Sequence, residues 1–438
     1  MEAIRVRNRK AVITAERCID CGECVRVCTS HAARATVDNL QILKDHKYNV
    51  ALASMPLFAQ FKNLNDPNIL LTAILELGFD DVYEVAVGAE IVGNETRRYI
   101  RQHPENYPYI STSCPAVLRL VRMRFQNLSE HLLPIQTPTE VTATLALKKA
   151  MEDTGLPAED IGIIHISPCP ALSAFSKEPL GIRKSKITGN LSVKAIYPLL
   201  LQKMPLVKDN PKKLSHASSL GLGWRADGTG GGYITEKYMS ANGVHNVLKI
   251  LESLEDDSID GLEYLDLYTC TGGCVGGTLN VENPYIARAD LRSVRAHLPK
   301  RIPKDELPFS GDISWNQRIR FDDVYKLGNT MQESLRRLAA AEKIEKEFPG
   351  LDCGSCGAPT CRALAEDIVR GKAYRHDCIY FLRDHIHALT MELNTISDDI
   401  NRTILEDKGH PTAQQMERLQ DYITQLWAEL NELDSRFK

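Results

Sequence analysis

Apolar residues along this chain change their spacing twice. Through the first three quarters they come as short runs closed by Pro or Gly, such as Ile161–Ser167, the mark of buried strands. Alternating with longer helical stretches, these runs predict an α/β region of mostly parallel sheet flanked by helices, in two lobes. From Phe321 the spacing turns helical, with Met331, Leu335 and Leu338 on one face before Pro349 and Gly350. A further helix is expected over Arg362–Lys372. Beyond it Leu382, Ile386, Leu389, Leu393, Ile396 and Ile400 step by four and three, and Met416, Leu419, Ile423, Leu426, Leu430, Leu433 and Phe437 nearly so, with Gly409 and Pro411 between. This is a helical hairpin or a pair of coiled-coil segments, packed on the protein's own core or serving as a dimerisation or docking arm. The longest apolar run, Ile69–Phe79, contains Glu76 and falls short of the roughly 18 residues of a membrane span, so no membrane is expected.

The 438 residues, 43% hydrophobic and 25% charged, suffice for about three domains. With 53 basic against 57 acidic residues, a net charge of −4 and no long like-charge block, nothing points to nucleic acid. Residues Met1–Lys10 lack the apolar core of a signal peptide, so a cytoplasmic protein is expected, and disulfides are a poor account of its cysteines.

Those cysteines number 12 and fall into three fours. Soft thiolates select zinc, copper(I) or iron–sulfur clusters, and spacing has to choose. Cys18, Cys21, Cys24 and Cys28 follow the C-x2-C-x2-C-x3-C run of bacterial ferredoxins, in which neighbouring thiolates hold successive corners of one 4Fe-4S cubane. Structural zinc usually separates its two knuckles by a dozen residues or more, which this run does not. Thr29 stands where a ferredoxin usually has Pro. Cys353, Cys356, Cys361 and Cys378, in LDCGSCGAPTCRALAEDIVRGKAYRHDC, resemble a small 4Fe-4S domain of anaerobic electron carriers, with zinc the alternative. Cys114, Cys169, Cys270 and Cys274 are dispersed, as in a site built from loops of a larger domain. The first two follow strand-like runs and precede Pro; the last two flank Gly272 and Gly273, where backbone can approach a cluster closely.

The segments YISTSCPAVLRL, HISPCPALSAFSKEP and LYTCTGGCVGGTLN, in that order, resemble the three signature loops of the iron-only (FeFe) hydrogenases. SMPLFAQF, LGFDDVYEVAVGAEIV and LLPIQTPTEVTATLALKK are similar to linking elements of the same domain, and the resemblance runs from about Tyr48 to Ala296. It implies a central cubane held by Cys114, Cys169, Cys270 and Cys274, with Cys274 bridging to a two-iron unit carrying carbonyl, cyanide and dithiolate ligands. The pattern is broken where active members carry a proton-relaying cysteine, here Ser113, a poorer relay near neutral pH. A cyanide-binding lysine and a nearby acid are replaced by Leu172 and Phe175, and a methionine by Tyr268. Losing that cation under-stabilises a buried anionic ligand by roughly 1–3 kcal/mol and puts the two-iron subsite in question. Lys177 and Glu178 lie further along the same loop. These changes resemble the divergent, sensory-type branches of the superfamily.

The expected domains are a ferredoxin-like segment at 1–45, a hydrogenase-like domain at 46–315, a connecting helix at 316–348, a 4Fe-4S domain at 349–380 and a helical arm at 381–438. The expected function is slow, reversible 2 H+ + 2 e− ⇌ H2 used for sensing or regulation, with three 4Fe-4S clusters, Ser113 as a weak proton route and a ferredoxin or redox subunit as partner. The rivals are a non-catalytic electron-transfer or redox-sensing subunit without the two-iron unit and, behind it, a cluster-assembly factor. The glycine-dense stretch Ser218–Ile234 lacks the Lys-Ser/Thr ending of a phosphate loop and is expected to border the central cluster. His165 and His376 are expected to be hydrogen-bonded structural histidines, and Glu90 and Glu95 solvated acids with a proton path as the alternative.

Overall fold

The computed structural model describes residues 2–224, 229–303, 307, 311–407 and 412–437. Gly228, Gly409 and Pro411 lie outside them. The chain forms two compact units, one of residues 1–18 with 324–438, the other of residues 19–323.

In the first unit β1 (Ile4–Arg7) and β2 (Lys10–Ile13) form an antiparallel hairpin. Asn8 and Arg9 turn it with φ of +50° and +60°, the left-handed pair that matches strand twist in a two-residue loop. Helix Met331–Lys346 packs on helix Cys361–Val369 through Ala341, Ile344, Ala363 and Leu364, and each is capped by a threonine, Thr330 or Thr360. Helices Ile379–Asp407 and Ala413–Phe437 pair, with the Tyr422 hydroxyl donating to the Leu389 carbonyl. Ile386, Met391, Leu393, Met416, Ile423 and Trp427 remain exposed on this pair.

The second unit holds two parallel sheets. β3 (Tyr48–Ala53), β4 (Asp81–Glu84), β6 (Ile161–Ser167) and β7 (Gly189–Ser192) lie in the order β4-β3-β6-β7; β5 (Tyr109–Ile110), β8 (Tyr238–Asn242) and β9 (Tyr264–Tyr268) lie in the order β5-β9-β8. Every pairing in both sheets is parallel, as expected. β6 is buried along its whole length, which is why its sequence reads as an unbroken apolar run. Each of its isoleucines contributes roughly 1.5–3 kcal/mol of burial. Helices Val85–Gln102 and Pro138–Thr154 pack together, the second opened by Thr137 accepting from Glu140 N and by Pro138 at its first position. Among the described residues no helix is long and apolar enough to cross a membrane.

Candidate metal centres

Each central cysteine sits just past the carboxyl end of a parallel strand, the usual place for a site in an open α/β sheet. β5 leads to Cys114 at the start of helix Pro115–Arg124, and β6 leads to Cys169 at the start of helix Pro170–Lys177. Both helices begin with proline, whose missing N–H costs nothing there. β9 leads to Cys270 and to the short helix Gly273–Gly276 that carries Cys274. All four cysteines line one cavity with Ser113, Leu172 and Tyr268. Burial first, and the neighbouring thiols second, push the Cys270 thiol well up from its ordinary value. Four convergent thiols are nonetheless the donor set an iron–sulfur cluster takes, since the bound iron deprotonates the sulfurs that hold it. Arg26 Nη2 donates to the Gly276 carbonyl at 2.7 Å and Arg288 Nη2 to the Gly272 carbonyl at 3.2 Å, so two guanidiniums grip the backbone on either side of Cys274.

Where the resemblance expects a cation and a proton-relaying thiol, the cavity of the four thiols is lined by uncharged side chains. Ser113 is buried against it; Leu172 occupies the lysine position and lines it, and Phe175 is buried in the core. Lys177 is exposed, and none of the described residues lining the cavity is a lysine or arginine. The Tyr268 hydroxyl donates to the buried Asp266 carboxylate.

The ferredoxin-like run is docked on these loops. Cys21 lines the central cavity itself, a contact that no sequence spacing signals. Gly22, with φ of +75°, lies so close to Thr278 and Pro170 that a Cβ would collide with the Thr278 hydroxyl. Arg119 pairs with Asp20 at 2.7 Å, and helix Glu23–Val27 carries Cys24 and Arg26. The Ser30 hydroxyl and local backbone amides draw the Cys28 thiol down to about 7. Cys18 ends the N-terminal stretch of the other unit, its N–H bonded to the Ala15 carbonyl.

Cys353, Cys356, Cys361 and Cys378 line a second cavity. Cys361 begins its helix as expected, though the helix stops at Val369, and Cys378 is buried after a turn in which Asp377 accepts from Tyr374 N at 2.9 Å. Cys353 is exposed. Among the described residues no three His, Cys, Asp or Glu side chains gather as they do around a single metal ion.

Several secondary expectations are corrected. His165 is fully buried and neither ring nitrogen has a hydrogen-bond partner, so it is not a satisfied structural histidine; desolvation drives its pKa down to about 4, with Asn190 opposing. Glu90 is buried rather than solvated, accepting from the Ser218 hydroxyl and from Ile302 N at 3.1 Å, whereas Glu95 pairs with Arg98 near the surface. The His376 ring lies edge-on to Phe381 and tilted against His385. In the glycine-dense stretch Gly221 presses on the Ala86 carbonyl and Gly231 on Tyr238, and none of its described residues is among those lining the central cavity.

A family described as "Iron only hydrogenase large subunit, C-terminal domain" matches residues 47–176, and one described as "Putative Fe-S cluster" matches residues 348–380. Iron hydrogenase 1 of Clostridium pasteurianum is 22% identical over 293 residues, 53% of this chain and 50% of that protein, so the chain spans about half the length of this curated relative. Among solved structures, the FeFe-hydrogenase HydA(deltaEFG) aligns with a TM-score of 0.47 at 13% identity, covering 61% of this chain and 91% of that one. An FeFe-hydrogenase solved in work on oxygen inactivation aligns with a TM-score of 0.48 at 12% identity, covering 65% and 98%. The first matched region holds Cys114 and Cys169 and the second holds Cys353, Cys356, Cys361 and Cys378, so over these parts the chain is similar to the iron-only hydrogenases and to a small iron–sulfur domain.

Proposed function

We propose that this chain is a three-cluster iron–sulfur redox protein on a hydrogenase scaffold, serving as an electron-transferring or redox-sensing subunit for a ferredoxin-like or protein partner. The observation that carries this is the central cavity, where four thiols converge and Leu172 stands in the place of the cation. When bound, each cubane supplies one-electron redox chemistry at a potential set by charge, hydrogen bonding and exposure. The chain's own residues hold the thiols at three strand ends, exclude water through Ala171, Leu172 and Pro115, and fix the Cys274 loop through Arg26 and Arg288. Cys21, reaching the central cavity from the ferredoxin-like run, sets one thiol of that run beside the central ones and gives electrons a short path between the two sites.

A second reading, slow H2 conversion in a sensing role, is favoured by the retention of Cys274 and by Ser113 on the cavity wall as a proton route. Infrared spectra of protein produced with the hydrogenase maturation machinery, with and without H2, separate the two. The electron-transfer reading expects no carbonyl or cyanide bands and about twelve irons per chain; bands that shift under H2, with about fourteen irons, would overturn it. Zinc in place of iron at the C-terminal four would remove one cluster from the proposal.

A further inference from the structure

Within the unit of residues 1–18 and 324–438, the N-terminal hairpin forms the back of the C-terminal cysteine loop. Val6 N–H donates to the Gly357 carbonyl at 2.7 Å, and Gly357, with φ of +79°, approaches Val6 so closely that any Cβ would strike the Val6 carbonyl. Beside this contact Arg7 Nη1 donates to the carbonyl of Cys356 at 2.6 Å, and Arg7 Nη2 lies 3.1 Å from Asp367 Oδ2. Asp367 also takes Arg5, through Nε at 2.6 Å and Nη2 at 3.2 Å. One carboxylate therefore serves two guanidiniums, while Glu2, which accepts from the Thr360 hydroxyl at 2.8 Å, stands beside Cys361 rather than beside Cys356. Arg5 also ties the hairpin to helix Cys361–Val369, by bonds separate from the one that Arg7 makes to a ligand residue.

A cluster held by four thiolates is anionic and gains negative charge on reduction. A cation fixed on the backbone of one ligand favours the reduced form over the oxidised one and raises the potential. Arg7 is partly open to solvent, which weakens its field without cancelling it. Asp352, whose carboxylate accepts from Cys361 N at 2.7 Å on the same loop, acts in the opposite sense.

We propose that Arg7 is a redox-positioning residue of the C-terminal cluster, its guanidinium on the Cys356 carbonyl holding that cluster's reduction potential up. This rests on the reading that Cys353, Cys356, Cys361 and Cys378 bind an iron–sulfur cluster. The test is an anaerobic potentiometric titration of the full chain followed by electron paramagnetic resonance, on wild type, Arg7→Gln, Arg7→Lys and Asp352→Asn, each also in a Cys361→Ser background. The expected result is that one of the component potentials falls in Arg7→Gln, falls less in Arg7→Lys and rises in Asp352→Asn, and that these shifts vanish with Cys361→Ser. Unchanged potentials, shifts of one sign in both charge variants, or shifts that persist with Cys361→Ser would overturn the proposal. A wild-type signal that Cys361→Ser leaves unaltered, with zinc bound, would overturn the cluster reading itself and this proposal with it.

Discussion

Glu84, at the end of β4, gives a quantitative test of how the larger unit is held. It is 3% exposed and accepts from the Ser215 hydroxyl at 3.0 Å, His216 N at 2.7 Å and Ala217 N at 2.9 Å, tying residues 215–217 to the sheet. Desolvation outweighs these bonds and pushes its pKa up from 4.5 to about 7. A carboxyl with a raised folded pKa is better bound by its proton in the folded state. Its contribution to stability is complete below the unfolded value and is lost as pH rises through about 7, a displacement worth about 3 kcal/mol in total. Between pH ~6 and ~8.5, a range chosen to spare acid-labile clusters, the loss comes to about 1 kcal/mol. Glu84→Gln keeps the shape and an acceptor but cannot titrate. Hydrogen exchange of the β3 and β6 peptides, which open only with the unit as a whole, reads the free energy in both proteins. Wild type should lose about 1 kcal/mol more than the variant across that range. Parallel profiles would refute the argument, whatever the absolute stabilities.

The opposite slope is expected from His165, whose folded pKa is depressed to about 4: its contribution is present above about 6.5 and is lost as pH falls, so His165→Leu should spare about 1 kcal/mol between pH ~6.5 and ~5.5 by the same exchange measurement. Gly22→Ala forces a side chain into left-handed backbone against Thr278, at a cost of roughly 1–3 kcal/mol, and should speed iron loss and amide exchange across residues 19–28 while leaving β3 protection unchanged. Leu172→Lys places a cation in the central cavity and should raise the potential of the central cluster; potentiometry that finds it unmoved would show that Leu172 lies too far from the iron to matter.

Elements fixed by local pattern were legible in the sequence. The parallel strands and the thiols at their ends follow from apolar runs, Pro and Gly around Cys114, Cys169 and Cys270, because burial and backbone geometry leave a mark on neighbouring residues. What local pattern cannot carry is long-range pairing. Arg5 and Arg7 lie 362 and 360 positions from Asp367, and nothing near either end announces the other. Burial of single polar groups was hidden for the same reason: Glu90 looks like any surface acid until Ser218 and Ile302 close over it. The unpartnered ring of His165 was likewise invisible, since β-strand context gives its burial but not the absence of an acceptor.

The placement of positive charge bears on which chemistry the central site performs. Arg26 on Gly276, Arg288 on Gly272 and Arg7 on Cys356 all bind a backbone carbonyl of a cysteine-bearing loop, outside the cavity the thiols enclose. Inside the central cavity the described lining is apolar or hydroxyl-bearing, with Leu172 where a cation would meet an anionic ligand. A guanidinium on the rim shifts the potential of an anionic cubane and holds the loop rigid while taking none of the volume beside the thiols. It does nothing to compensate further anionic ligands within the cavity, whose burial without a partner costs several kcal/mol. Under the function proposed above, charge kept at the rims and withdrawn from the interior suits electron transfer between cubanes and predicts that no second, charged metal unit is held in the same space.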